Sequence, residues 1–348
     1  MQALTWHGRE DIRLTEVPEP VLQEDGDVVV EVELAGICGS DLHVYHEREK
    51  GLDPGTVMGH EFVGRVVAAG GGVRTLRPGD RVFSPFTTNC GSCWACRRGL
   101  TCRCTQGQLF GWVAGGDGLQ GCQAGRVRVP LADATLKPLP DDLHAEEGLL
   151  LGDVLSTGVY CAERAEVDGE GLYVVLGCGP VGLMAVVGAL ERGARNLLAV
   201  DSLPARLDLA RRMGARPVHL TQDEPKAVVQ QLSQGRGADA ILEAVGSPQA
   251  GRLALELVRP GGTISTAGVH TASRMPFSPV EAYDRNLTYR SGRCPARFYM
   301  DRLLPLVRAQ RYPLLDVISH RLPLSQGVEG YRLFASREDD CTKVVLTP

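Results

Sequence analysis

The segment LYVVLGCGPVGLMAVVGALERGA, residues 172–194, constrains the fold of this chain more than any other. An apolar run that reads as a buried strand leads into G-x-G-x-x-G at residues 177–182, and an apolar helix follows at once. In that context the glycines have separate tasks. Gly177 permits a tight turn, Gly179 lets a pyrophosphate approach the backbone, and Gly182 allows close packing of helix on strand. Pro180 suits the first helical turn, where no amide hydrogen is needed, and Val181 continues it. From about residue 171 the same rhythm of apolar strand, glycine turn and helix recurs through LLAVD, RPVHL, DAILEAVG and GGTISTAG. The expectation is a doubly wound parallel sheet of the Rossmann kind, with helices on both faces.

The next strand in that series ends in Asp201, 19 residues beyond Gly182. A carboxylate there can accept hydrogen bonds from the adenosine ribose and repels a 2′-phosphate, so NAD is the expected cofactor rather than NADP. Asp201 can also cap the helix that starts near Leu203. Arg206 is a further candidate contact, because a guanidinium could accept a phosphate; the simpler reading makes it a helix-surface arginine.

The first half of the chain has a different texture. VVVEVELAG (28–36), FVGRVVAAG (62–70) and the PGDRV turn and strand (78–82) point to an irregular, mainly β domain. Beyond residue 292 come one helix (about 296–309), a strand expected near Val317 and a last strand KVVLT. These are too few for a separate domain. The expected arrangement is a first domain of residues 1–153 and 293–348, with a nucleotide domain of 154–292 inserted in it. Net charge of −5 offers nothing to attract nucleic acid. MQALTWHGRE has none of the marks of a signal peptide, and no apolar stretch would span a bilayer, so the cytoplasm is the expected address and no membrane partner is expected.

Eleven cysteines are many for such a chain, and in a reducing compartment clustered thiols favour metal over disulfides. CGSCWACRRGLTCRC carries Cys90, Cys93, Cys96, Cys102 and Cys104. Three thiols at intervals of three, with one eight further on, can close a tetrahedral zinc that serves structure. A redox dithiol would need only two cysteines. Spacing leaves Cys102 and Cys104 as rivals for the fourth position. A dispersed set consists of Cys38, Ser40 and His43 in CGSDLH and His60 and Glu61 in GHEFVG.

Together CGSDLH, GHEFVG, RPGDRV, the cysteine segment, GCGPVG with Asp201 and the ending KVVL resemble the zinc-containing medium-chain alcohol dehydrogenases over nearly the whole length. The resemblance implies a GroES-like catalytic domain holding two zinc ions, with the Rossmann domain inserted in it. It implies that Cys38 and His60 bind a catalytic zinc, that Ser40 and His43 relay a proton, and that Cys90, Cys93, Cys96 and Cys104 hold a structural zinc. The third catalytic ligand departs from the two-cysteine form of the family: LLLGDVLSTGVY puts Asp153 at that position, as in bacterial secondary-alcohol and formaldehyde dehydrogenases. Cys161 is the rival, and Glu61 is either the partner of a ligand or a transient ligand. Zinc with an open fourth position lowers the pKa of a bound hydroxyl. The implied partners are therefore NAD and a small alcohol or its aldehyde or ketone.

Phe86 stands where relatives place an aromatic wall beside the zinc, and Phe110 and Trp112 are candidates for the pocket entrance, although all three could be core aromatics. RVRVPLADATLKPLPDDL resembles the formaldehyde-dehydrogenase branch, while LQGCQAGRV departs from it at Cys122, Gly125 and Arg126. Formaldehyde-, polyol- or threonine-type activity and a non-catalytic NAD-binding redox sensor are the alternatives. Relatives associate through the last strand of the nucleotide domain, here LTYRS (287–291), so a homodimer or homotetramer is expected.

Overall fold

The computed structural model describes residues 1–348. Two compact units divide them: Met1–Asp153 with Pro295–Gln310 and Ile318–Pro348, and Val154–Cys294 with Arg311–Val317.

In the first unit, alternating apolar runs form a mainly antiparallel sheet whose centre is Val28–Ile37, flanked by Phe62–Ala69 and Val344–Thr347. The last strand pairs Val344 with Ile37 and Leu346 with Ala35, so it lies against the strand that leads into Cys38. Val28, Val30, Phe62, Val82 and Val127 meet in a core that excludes water almost completely. Each such side chain contributes roughly 1.5–3 kcal/mol by burial. That rigidity matters because Cys38 and His60 sit at the ends of two of these strands.

The second unit holds six parallel strands in the order Arg216–His219, Asn196–Asp201, Leu172–Leu176, Ala238–Glu243, Val258–Thr266, Thr288–Ser291. Leu172–Leu176 is buried at every position, as a strand covered on both faces must be. The chain order reverses on either side of it, and ligands of such sheets bind over the carboxyl ends of the strands at that point. Gly177 (φ +86°) makes the turn there, and the helix Pro180–Glu191 begins with Pro180. A Cβ on Gly182 would lie 1.7 Å from the Gly177 carbonyl oxygen, so only glycine fits.

The strand expected near Val317 is instead a 3₁₀ turn, Leu314–Val317, and the strand starts at His320. Pro313 deprives the segment of an amide donor, and the Asp316 amide closes the turn on the Pro313 carbonyl. No helix is long and apolar enough to cross a membrane.

Candidate metal and cofactor sites

Cys38 leaves the strand Val28–Ile37, and the turn that follows is fixed by Asp41, whose Oδ2 accepts the Cys38 amide at 2.9 Å. His60 is placed by Gly59, which has φ +92° and no room for a side chain: a Cβ would lie 2.4 Å from Gln123. Gln123 is buried too, donating to the Gly36 carbonyl at 2.9 Å and accepting the Tyr331 hydroxyl at 2.8 Å. Asp153 ends the helix Ala145–Gly152, where Gly152 lets the backbone pass Ser84.

Three donor atoms converge from these positions. Cys38 Sγ lies 3.5 Å from Asp153 Oδ2, and His60 Nε2 lies 3.4 Å from the same oxygen. Cys38, His60 and Asp153 are all buried, and their ligand atoms fall within 4.8 Å of one another. His60 Nδ1 faces Asp41 Oδ1 at 3.2 Å, which turns Nε2 towards the cluster. Burial pushes the Cys38 thiol up, reinforced by the Asp153 and Glu61 carboxylates. At His60 burial opposes the charge, yet the Asp41 carboxylate and hydrogen bonds donated to Asp153, Asp41 and Cys38 outweigh it and raise the imidazole well above its usual range. A thiol, an imidazole and a carboxylate gathered out of water at this spacing fit a tetrahedral metal with one position open.

Ser40 Oγ is 3.2 Å from His60 Nε2 and so belongs to the cluster. His43 is buried on the short helix Asp41–Tyr45, its amide bonded to the Ser40 carbonyl at 3.0 Å. Glu61 follows His60 but points to Lys343, and both are nearly inaccessible to water (1% and 0%). Burial pushes Glu61 up to about 7 even though Lys343 pulls it down, and its Oε1 has no hydrogen-bond partner. A Cβ on Gly36 would fall 2.0 Å from Glu61 Oε2, so this glycine makes room for the pair.

The second cluster consists of Cys90, Cys93, Cys96 and Cys104. Cys102 is not among them, although it lies two residues from Cys104. The amides of Cys90 and Gln106 point to Cys104 Sγ at 3.2 and 3.4 Å, and the Cys93 amide points to Cys90 Sγ at 3.3 Å. Amide hydrogens directed at sulfur favour thiolates: those of Cys96 and Thr105 bring Cys93 down to about 5. Burial instead pushes Cys96 up to about 12. Four sulfurs so close share ionisation only with a cation among them, which suits a closed zinc site.

At the nucleotide loop Asp201 Oδ2 accepts the Cys178 amide at 2.7 Å, and Oδ1 accepts the amides of Ser202 (2.7 Å) and Leu203 (3.0 Å). Asp201 therefore braces the loop as well as closing the strand. Gly179 stands as the N-cap, and Val181 is the second residue of the helix.

The sequence comparisons agree with this architecture. Residues 24–141 match the alcohol dehydrogenase GroES-like domain, and residues 180–307 match the zinc-binding dehydrogenase domain. Zinc-type alcohol dehydrogenase B of Aspergillus flavus is 42% identical over 345 residues, covering 96% of this chain and 78% of the relative. The chain belongs to the zinc-type alcohol dehydrogenases of the medium-chain family. The solved alcohol dehydrogenase TADH from Thermus sp. ATN1 superposes with a TM-score of 0.91 at 40% identity, covering 100% of this chain and 99% of that one. The NADP-dependent isopropanol dehydrogenase of Thermoanaerobacter brockii is 32% identical, with 92% of each chain covered.

For this zinc-type dehydrogenase some expectations need correction. Phe110 is a core residue, 1% exposed and edge-on to Phe62 at 5.4 Å, because the side chains of the first unit's core, Phe62, Val66 and Leu119 among them, close around it. Trp112 packs against a second core that contains Leu4, Trp6 and Leu52. Of the three aromatics only Phe86 flanks the cluster of Cys38, His60 and Asp153, its ring 6.3 Å from that of His60. Arg206 is not on the helix surface: it is 9% exposed, with Nη1 3.7 Å from where a Gly179 Cβ would stand. The helix Pro204–Met213 starts three residues after Asp201, and its first turn brings Arg206 against Gly179 of the glycine loop. Cys161 lies outside the ligand cluster, donating to the Ser265 carbonyl at 3.4 Å. The sequence marks Asp41 and Lys343 only faintly, by the acidic residue inside CGSDLH and the lysine before VVL, and Gln123 not at all.

Proposed function

We propose that this zinc-type alcohol dehydrogenase oxidises a small alcohol to its aldehyde or ketone, or the reverse, with NAD as hydride carrier. The observation that carries this reading is the convergence of Cys38 Sγ, His60 Nε2 and an Asp153 oxygen within 4.8 Å, all buried. These three side chains would hold a catalytic zinc, and Cys90, Cys93, Cys96 and Cys104 a structural one. Bound zinc would acidify the substrate hydroxyl, and bound NAD would accept the hydride.

The chain's own residues supply the rest. Asp41 keeps the imidazole of His60 in one tautomer, with Nε2 free to bind. Ser40, 3.2 Å from His60 Nε2, would take the hydroxyl proton, and His43 would pass it on towards solvent. Phe86 forms an apolar wall against the ligand set and excludes water. Gly177, Gly179, Pro180, Val181 and Gly182 would seat the pyrophosphate at the helix start. Asp201 supports the preference for NAD, since its carboxylate at the strand end repels a 2′-phosphate.

A specific observation favours NADP as a second reading: the buried Arg206 guanidinium beside Gly179 could face that phosphate. Catalytic efficiency with each cofactor, measured over primary alcohols, secondary alcohols, polyols, threonine and formaldehyde, tests the proposal. The expected outcome is turnover of an alcohol with NAD favoured; a preference for NADP would replace the cofactor reading, and no turnover of any would remove the activity. Thr288–Ser291, at the edge of the parallel sheet, is the strand through which two copies would pair.

A further inference from the structure

Glu243 is the last residue of the strand Ala238–Glu243 and is completely buried. Its Oε1 accepts the amides of Val245 and Gly246 at 2.7 and 2.8 Å, and its Oε2 faces His270 Nε2 at 3.0 Å. Its backbone carbonyl accepts the amides of Ala267 and Gly268 at 2.8 and 3.1 Å. One residue thus holds two loops: 244–247, after its own strand, and 267–270, after the neighbouring strand Val258–Thr266. The loops touch through glycine. A Cβ on Gly246 (φ +76°) would fall 2.3 Å from the Val269 carbonyl oxygen, and one on Gly268 would fall 2.2 Å from the Gly246 nitrogen.

The first of these loops also abuts the glycine turn. The Ala244 amide donates to the Leu176 carbonyl at 3.0 Å, and a Cβ on Gly177 would lie 2.5 Å from Val245 Cγ2. Backbone contact therefore runs from 267–270 through 244–246 to Gly177, along the carboxyl ends of three adjacent parallel strands. This is the edge at which such a sheet binds its ligand. Val245 and Val269 stand there 44% and 40% exposed, apolar surface that an aromatic ring would cover. The other bonds to Glu243 come from backbone amides just beyond the ends of the two strands. His270 supplies the side-chain tie to Glu243, from a ring that is 23% exposed.

We propose that His270 is a cofactor-positioning residue, a latch that fastens the 267–270 loop to Glu243 and so sets the rim against which the nicotinamide half of the cofactor lies. The proposal rests on the NAD-linked reading above. A carboxylate sealed from water needs its donors, and removal of His270 leaves one oxygen unsatisfied, which loosens both loops. Glutamine at this position retains an N–H of similar reach; alanine does not.

The test is titration of wild type, His270→Ala and His270→Gln with NADH, followed by nicotinamide fluorescence, together with amide hydrogen exchange of the NADH-free proteins. For His270→Ala the expected outcome is a Kd raised by about tenfold, the loss of one charge-assisted hydrogen bond. Faster exchange should be confined to 244–247 and 267–270. His270→Gln should recover most of the affinity, which a role confined to packing would not produce. Wild-type affinity in His270→Ala, or equal losses in both variants, would overturn the latch. If wild type binds neither NADH nor NADPH, the cofactor reading fails first and takes this inference with it.

Discussion

Asp41 Oδ1 lies 3.2 Å from His60 Nδ1, so one buried carboxylate decides which face of the imidazole is presented to Cys38 and Asp153. The same Asp41 fixes the Cys38 amide through its other oxygen, at 2.9 Å. Two of the three proposed ligands therefore depend on a residue that binds no metal. Asp41→Asn keeps the shape and removes the charge. It should weaken zinc at this site by roughly 10- to 100-fold, measured by competition with a chelator, while the four-cysteine site keeps its metal. Unchanged chelator sensitivity would show that Asp41 only shapes the turn.

Lys343 and Glu61 form an ion pair with almost no access to water, beside the ligand set. Lys343→Met leaves the Glu61 carboxylate without its cation in a site where it already resists ionisation. We expect a loss of about 3–5 kcal/mol in denaturant unfolding, and Glu61→Gln in the same chain should recover part of it. A double variant no more stable than Lys343→Met would separate the two residues energetically.

The four-cysteine cluster separates Cys104 from Cys102. Cys104→Ser should remove one zinc and destabilise the chain, whereas Cys102→Ser should change stability by no more than about 0.5 kcal/mol and leave the zinc content intact. Metal analysis and a thermal melt of both variants read this directly. Zinc loss in Cys102→Ser alone would reassign the fourth ligand.

Asp201 both repels a 2′-phosphate in the proposed reading and holds the Cys178 amide at 2.7 Å. Asp201→Gly should weaken NADH and narrow the gap between NADH and NADPH, with Arg206 beside the loop to receive the added phosphate. Combining it with Arg206→Ala should remove the gain in NADPH affinity. If NADPH binding is indifferent to Arg206, the guanidinium only braces the loop.

The fold class was legible because its signals are local and strong. The strand Leu172–Leu176, the turn Gly177 and the helix start at Pro180 all fall within nine residues of sequence, each with a steric requirement that few residues meet. The proposed ligand set was legible only in part: Cys38 and His60 sit in glycine-flanked motifs, while Asp153 is marked by its place in the family's pattern, the apolar run before it pointing only to burial. What could not be read were partners brought together by sheet pairing. Lys343 reaches Glu61 across 282 positions because the last strand lies against Val28–Ile37, and no periodicity in either segment announces that register. Burial misled in the same way. Phe110 and Arg206 look like surface or entrance residues until the core around Phe62 and the turn after Asp201 are folded.

The central claim is that Asp153 completes a metal site with Cys38 and His60. Zinc per chain in wild type and Asp153→Asn, purified alike and exchanged into metal-free buffer, tests it most directly, with Cys93→Ser as the control for the other cluster. The account gives two zinc ions in wild type, and one in Asp153→Asn with turnover lost and the four-cysteine site still filled. An Asp153→Asn protein that keeps two zinc ions and near-normal turnover would contradict it.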